Sequence, residues 1–534
     1  MTMQEADFVV IGAGSAGCLL ANRLSADPDN QVVLLEAGGK DTDLLIRVPL
    51  LAAINYFRAS LNWGYETEPQ AALGGKRVVL PRGKVLGGTS SINGMMYMRG
   101  HRRDYDGWAA SGLDGWSYDE VLPHFKAFEH NFSHPEDDAH HGRDGELPVV
   151  EARGENPLYE RWIAAGVVAG FRRNPDFNGA EQEGVGFHDF NIRNGRRVSS
   201  AGAFLHPIAG RKNLAVITRA QATRLCFEGK RCVAVEYRQG GTIRKVKVRR
   251  EAVLSAGVFN SPQLLQLSGI GGGELLRRHG IEMVADSPDV GRNFEDHCGL
   301  FVEYKCLQPV SLYSLFRPDR IATALLQAFF FGTGPASRIP LEAGGLLKTN
   351  PDLDAPDIQL TFVPGLSLAT TRAGQREHGF LTSICILRPK SRGWVEIRSA
   401  NPLDKPIIQP NYFSAPEDVA TIREGAKLVR RIVAQSPLDP YRGAEITPGA
   451  AVQSDAELDA WVLRSVSTLW HGSSTCRMGT DAGAVVDKHL KVRGVEGVRV
   501  ADTSIMPNII GGNTSIPAMM IAEKCAAMML GNRR

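Results

Sequence analysis

The chain has 534 residues, a formal net charge of +3, 43% apolar residues and 22% charged residues. That length exceeds one ordinary core, so two or more domains are expected. The small net charge, with no block of like charge, excludes nucleic acid as a partner and leaves an ordinary globular chain.

In chain order, the first residues, MTMQEAD, lack a basic stretch followed by an apolar run, so no signal peptide is expected. Residues 8–17, FVVIGAGSAG, read as a buried strand, a glycine turn and the start of a helix. Gly12 makes the tight turn, Gly14 lets a pyrophosphate approach the backbone, and Gly17 lets helix and strand pack closely. Residues 31–35, QVVLL, read as the next strand, ending at Glu36 about 20 residues on, where a carboxylate can accept from both ribose hydroxyls of an adenosine. Residues 40–70 read as an irregular excursion over that nucleotide site. Residues 81–94, PRGKVLGGTSSING, are too rich in glycine and small hydroxyls to build a core, so they read as a ligand-contacting loop leading into a helix.

Residues 129–144 hold His130, His134, His140 and His141, but their spacing fits no standard ligand pattern, so no metal is expected and the segment reads as a solvated loop. Residues 214–219, 232–237 and 251–256 read as strands. Ser261 and Pro262 read as the N-cap and first position of a following helix. Residues 289–297, DVGRNFEDH, read as a closing loop. Between 300 and 460, segments 357–363, 382–387 and 393–398 suggest strands and 421–434 an amphipathic helix, giving a sheet-plus-helix substrate domain. No stretch reaches the about 20 apolar residues that span a bilayer. The nearest, 321–331 (IATALLQAFFF) and 516–530, read as buried helices; for the first, a peripheral role at a membrane surface stays open. Trp470 and His471 precede a run of small residues, 498–501 reads as a strand ending at Asp502, and 511–515 lead into a C-terminal helix near Pro517, a second dipole site. The eight cysteines include no C-x-x-C pair, which reads as reduced, cytoplasmic usage, with membrane association on that side left open.

Four separated blocks then resemble one family, the glucose–methanol–choline (GMC) flavin oxidoreductases, in its choline, alcohol and sorbose dehydrogenase branch. They are Gly12 to Gly17 with Glu36; residues 83–106; residues 257–271; and His471 with Asn513. The resemblance implies an α/β fold: a Rossmann-like FAD-binding domain from residues 1–155, 197–300 and 462–534, and a smaller α+β substrate domain on an antiparallel sheet from 156–196 and 301–461. It implies FAD held by Gly12, Gly14, Ser15, Gly17, Glu36, Ala37, Trp63, Arg82, Leu86, Gly88, Asn93, Gly94, Met95, Ala222, Ala256, Gly257, Trp470, Asp502, Thr514 and Ser515. Members that attach FAD covalently use a histidine where this chain has Ile92, so dissociable FAD is expected. Val258, Trp470, the run from His471 to Ser474 and the run from Asn513 to Pro517 depart from the usual pattern beside the reacting centre.

Alcohol oxidation needs a proton taken from the hydroxyl and a hydride lost from the same carbon. The flavin takes the hydride. Imidazole is the natural base near neutral pH, and the resemblance places that base at His471. An amide such as Asn513 can hold the oxygen without competing for its proton. The expected reaction is FAD-dependent oxidation of a small-molecule alcohol, with electrons passed to a quinone, a dye or another acceptor. Alternatives are an oxidase using O₂, a non-redox lyase that keeps FAD, and an NAD(P)-dependent dehydrogenase, against which the 81–94 loop argues. Trp470, Met95, Met96 and Phe362 suggest an apolar pocket for a hydrophobic or aromatic primary alcohol.

Overall fold

The computed structural model describes residues 4–151, 154, 156–367 and 377–531. Glu5–Ile11 and Val32–Glu36 sit at the centre of a seven-stranded sheet, and every residue of Val32–Glu36 is buried, as an interior parallel strand requires. The strand order is Leu214–Thr218, Val32–Glu36, Glu5–Ile11, Thr242–Leu254, Arg231–Gln239, Ala220–Glu228, and Val498–Val500 also pairs with Thr242–Leu254. The first four and Val498–Val500 run parallel, and the last three form an antiparallel meander. Thr242–Leu254, at 13 residues, is long enough to serve both: its start pairs with the meander and its end with Val498–Val500. The parallel strands therefore end together, at Gly12, Ala37, Ser255 and Ala501. That edge is where an open α/β sheet binds ligands.

The second large sheet is antiparallel throughout: Arg442–Thr447, Cys298–Cys306, Gly379–Ile386, Ile358–Val363, Ala343–Leu347, Gly184–Phe187. Ser467–Thr468 joins it beside Cys298–Cys306. The period of two divides its residues between faces. Leu300, Val302, Ile358, Leu360, Phe362, Phe380 and Ile384 enter a core with Trp162, Ile422 and Trp461 from helices Pro157–Val168, Pro416–Val433 and Asp455–Ser465. Gly299, Phe301, Gln359, Thr361, Val363, Leu381, Ser383 and Cys385 face a cavity.

Several expectations need correction. The 81–94 loop leads into the short strand Met96–Tyr97, and a helix begins only at Arg102. Ser261 is not an N-cap: the helix is Gly257–Leu267, and Pro262 lies inside it. Proline there has no N–H for the Val258 carbonyl, and Thr475 Oγ1 donates to that carbonyl at 2.7 Å instead. The helix expected from residue 421 begins at Pro416. Ser515–Leu530 is buried as expected, but Pro318–Phe331 buries only Ala324 and Ala328; Phe330 and Phe331 are 64% and 77% exposed. Among the described residues no helix is long and apolar enough to cross a membrane.

Candidate active site

A cavity of about 690 Å³ is bounded by both sheets. Its nucleotide end is built mostly from main chain. Gly12 has φ +97°, and a methyl on Gly17 would run into the Gly12 carbonyl, so strand and helix meet without side chains between them. The helices Ser15–Leu24 and Ser515–Leu530 both start without a side-chain cap. Their first turns line the cavity, with the Ser15 and Ser515 hydroxyls 3.2 Å apart. Two sets of unpaired N–H groups and two positive helix ends thus converge, a donor set suited to a pyrophosphate. Glu36 ends its strand with Oε2 accepting from Ala13 N at 2.9 Å and Oε1 from Gly38 N at 2.7 Å. Burial pushes its carboxyl up to about 7, against those two N–H groups and Lys84. Asp502 accepts from Gly257 N at 2.9 Å and Ser261 Oγ at 2.6 Å, so it caps a third helix that begins on the cavity wall.

The other end is built from side chains. His471 Nε2 lies 3.0 Å from Asn513 Nδ2, and His471 Nδ1 lies 3.0 Å from His297 Nδ1. Asn513 Oδ1 accepts from Gln359 Nε2 at 3.3 Å. Asp296 Oδ1 accepts from His471 N at 2.7 Å, while its Oδ2 accepts from Tyr412 at 2.6 Å and from Thr468. Trp470 takes φ +65°, unusual for so bulky a residue, and is held there by N–H donation to Thr468 Oγ1 and indole donation to the Val79 carbonyl. Burial, then the neighbouring His297 and Arg82, hold His471 well below the ordinary histidine range. Its ring is held in the neutral form on the cavity wall. Tyr56, Phe57 and Trp470 form an aromatic cluster nearby, with Tyr56 and Trp470 centroids 4.5 Å apart.

The cavity wall brings together His471, Asn513 and, of the twenty expected cofactor residues, all but Gly17 and Leu86. Gly17 sits at the helix–strand contact, and the Leu86 side chain packs in the main core. Met95 and Met96 line the cavity too, whereas Phe362 faces the opposite side of its sheet, against Trp162. Sequence reasoning missed Tyr56 and Phe57 in the excursion, Gln359 on the second sheet, and Asp296 and His297 in the closing loop. It also missed Arg197, whose guanidinium donates to Asn93 Oδ1 at 2.8 Å under the glycine loop. An Asp-His pair ending residues 289–297 was the one available signal for the pair behind His471. The 129–144 loop is less solvated than expected at His141, which is buried between Glu129 and Asp176, at 2.9 Å from each, beside the Arg99–Glu129 ion pair. Those carboxylates raise His141 to about 9 despite its burial. His134, Asp176 and Asp189 bring ligand atoms within 4.8 Å of one another in the same cluster.

Residues 6–299 and 389–522 match the two family models of the GMC oxidoreductases. The chain is a GMC oxidoreductase. It is 43% identical to the oxygen-dependent choline dehydrogenase of Brucella anthropi, over 99% of this chain and 96% of that one. It is also 43% identical to an alcohol dehydrogenase (acceptor) of Pseudomonas putida, over 98% and 95%. Among solved structures, pyridoxine 4-oxidase from Mesorbium loti superposes with a TM-score of 0.90 at 33% identity, covering 99% of this chain and all of that one. This GMC oxidoreductase is therefore an enzyme of FAD-dependent alcohol oxidation. Its converging helix ends, glycine-lined floor and terminal Glu36 fit that cofactor's pyrophosphate and adenosine.

Proposed function

We propose that this enzyme uses dissociable FAD to oxidise an uncharged, apolar primary alcohol to its aldehyde. The observation that carries this reading is the lining of the substrate end: Tyr56, Phe57, Met95, Met96, Phe301, Leu341, Val363, Leu381 and Leu469, without an acidic or basic side chain from the antiparallel sheet among the described residues. The charged wall residues, Glu36, Arg82 and Asp502, lie on the other segments. An alkyl or aryl chain is desolvated there at no cost in unpaired charge.

Bound FAD would supply the acceptor for the hydride lost from the alcohol carbon. His471 Nε2 takes the hydroxyl proton, and Asn513 Nδ2 donates to the oxygen as charge develops on it. Arg82 disfavours the imidazolium, so His471 releases that proton again once the aldehyde has formed. The Ile92 side chain is buried and offers no atom for a covalent link to the cofactor.

A second reading is choline, the substrate named for several relatives, and the aromatic cluster of Tyr56, Phe57 and Trp470 favours it through cation–π contact with a trimethylammonium group. A panel of 1-octanol, benzyl alcohol, choline and glucose, tested by anaerobic bleaching of the bound flavin, separates the two. Fast bleaching by the first two supports the apolar reading, and fast bleaching by choline alone overturns it.

For the acceptor we favour a lipophilic quinone reached at an anionic bilayer, on the cytoplasmic side, where the eight free cysteines would stay reduced. Leu326, Phe330 and Phe331 are exposed on Pro318–Phe331, and Leu44, Leu45, Ile54 and Phe57 are exposed on the excursion that packs against it through Val48, Ala324, Ala328 and Ala336. Phe57 also lines the cavity. Residues 43–58 and 313–338 carry five arginines against two aspartates, which suits anionic headgroups and disfavours a second copy of the same face. Phe330→Asp with Phe331→Asp should abolish co-sedimentation with phosphatidylglycerol vesicles and leave bleaching unchanged; retained sedimentation contradicts this docking.

A further inference from the structure

The hydrogen bonds behind His471 run in one direction, and that direction decides which of its nitrogens is bare. Leu387 offers a carbonyl, which only accepts, and His297 Nε2 lies 3.1 Å from it. His297 Nε2 therefore carries a proton. The ring is fully buried, and burial holds it down to about 4, so it is neutral and its Nδ1 is a bare acceptor. The atom 3.0 Å from that acceptor is His471 Nδ1, which must then donate. His471 is left with an unprotonated Nε2, the nitrogen that meets Asn513 Nδ2 at 3.0 Å. Gln359 donates to Asn513 Oδ1, so the amide presents its NH₂ group to His471. The sequence of donors is Gln359, Asn513, His471, His297, ending on Leu387.

We propose that His297 is a positioning residue that fixes His471 in the Nδ1–H tautomer and so keeps its basic nitrogen aimed at the alcohol. The opposite tautomer would point an N–H at the hydroxyl it has to deprotonate. The adjacent Asp296 holds the His471 main chain through its N–H, so one dipeptide sets both the place of the residue and the state of its ring. A carboxylate in the place of His297 would do the same orienting work while stabilising the imidazolium. A neutral imidazole orients without adding that charge, and His471 gives its proton up again readily. The groups around the pair are Arg82 on the side of His471, Asp104 and Arg388 near His297, the Ile510 carbonyl, and Cys385 within 4.8 Å. None of them offers His471 Nδ1 a hydrogen bond in place of His297.

This inference rests on His471 being the base, and its test has an arm that does not. Nitrogen-15 NMR of histidine-labelled, FAD-loaded enzyme without substrate reads the tautomer directly. The wild type should show His471 protonated at Nδ1 and bare at Nε2. His297→Leu should lose that preference and slow anaerobic flavin reduction by about 10–100-fold, with FAD retained. His297→Gln, whose amide can both accept from His471 and donate to Leu387, should restore the tautomer and most of the rate. A wild-type His471 protonated at Nε2 overturns the proposal. So does a His297→Leu enzyme within about threefold of wild type with its tautomer unchanged, or equal slowing in both variants with the tautomer intact, which would mark a packing role. Should His297→Leu fail to fold, the wild-type spectrum and His297→Gln decide the matter. A His471→Ala enzyme that bleaches normally would remove the base reading and leave the tautomer result standing.

Discussion

The two ends of the cavity are made of different material. At the nucleotide end, strand termini, glycines and two uncapped helix starts supply N–H groups, and Glu36 and Asp502 are the acidic side chains that shape it. At the reaction end, His297, Gln359, His471 and Asn513 come from four distant segments and meet through side-chain atoms. Main chain at a strand edge is fixed by the fold itself and suits a cofactor used in every turnover. Side chains from separate segments can be exchanged one at a time, and that is where substrate and rate are set.

Breaking the ends separately should give opposite phenotypes. The largest effect belongs to His471→Ala: flavin reduction by alcohol should slow by about 10²-fold or more with FAD still bound, as stopped-flow absorbance under nitrogen would read. Reduction within a few-fold of wild type would move the base elsewhere. Glu36→Ala should do the reverse. Losing a charge-assisted acceptor of about 1.5–3 kcal/mol weakens FAD binding by about tenfold or more, while the loaded fraction still bleaches near the wild-type rate. Titration of apoprotein with FAD measures it, and unchanged affinity would remove Glu36 from the adenosine site.

The smallest effect is on stability and sharpens the same contrast. Burial holds His297 and His188 down to about 4. Below the ordinary value near 6.5 the unfolded chain takes up these protons and the folded chain does not, so stability is fully present above that pH and falls as the pH drops toward 4. Buried carboxyls such as Glu36 act in the opposite sense, so the contribution of His297 is read by difference: the melting temperature of His297→Gln should gain on that of the wild type from pH 7 to 5. A difference between His297→Gln and wild type that does not grow over this interval would mean that the His297 ring is charged in the native state.

The nucleotide end was legible because its signals are local. Glycine spacing, an apolar strand and a terminal acid all lie within residues 8–36, and the strand-end geometry follows from them. His471 and Asn513 were legible through the family resemblance. Their partners were not, because Asp296, His297 and Gln359 become neighbours of His471 only when the antiparallel sheet closes over the cavity. Parity was the other loss. Residues 357–363 were read as a strand, but Phe362 was placed on the cavity side, and pairing puts Gln359, Thr361 and Val363 there instead. The two apolar helices show the same limit. Ser515–Leu530 and Pro318–Phe331 have similar composition, yet one is enclosed by the Rossmann core and the other meets neighbours along only one narrow side. Composition reports how apolar a helix is, and only the packing of distant segments decides how much of it is covered.

The most direct test is a crystal structure with FAD and an unreactive analogue of an apolar primary alcohol bound. The hydroxyl oxygen should lie within about 3.2 Å of both His471 Nε2 and Asn513 Nδ2, with its chain running toward Phe57 and Leu341. A flavin ring seated away from His471, or an alcohol oxygen held by some other group, would contradict the assignment of this histidine as the base.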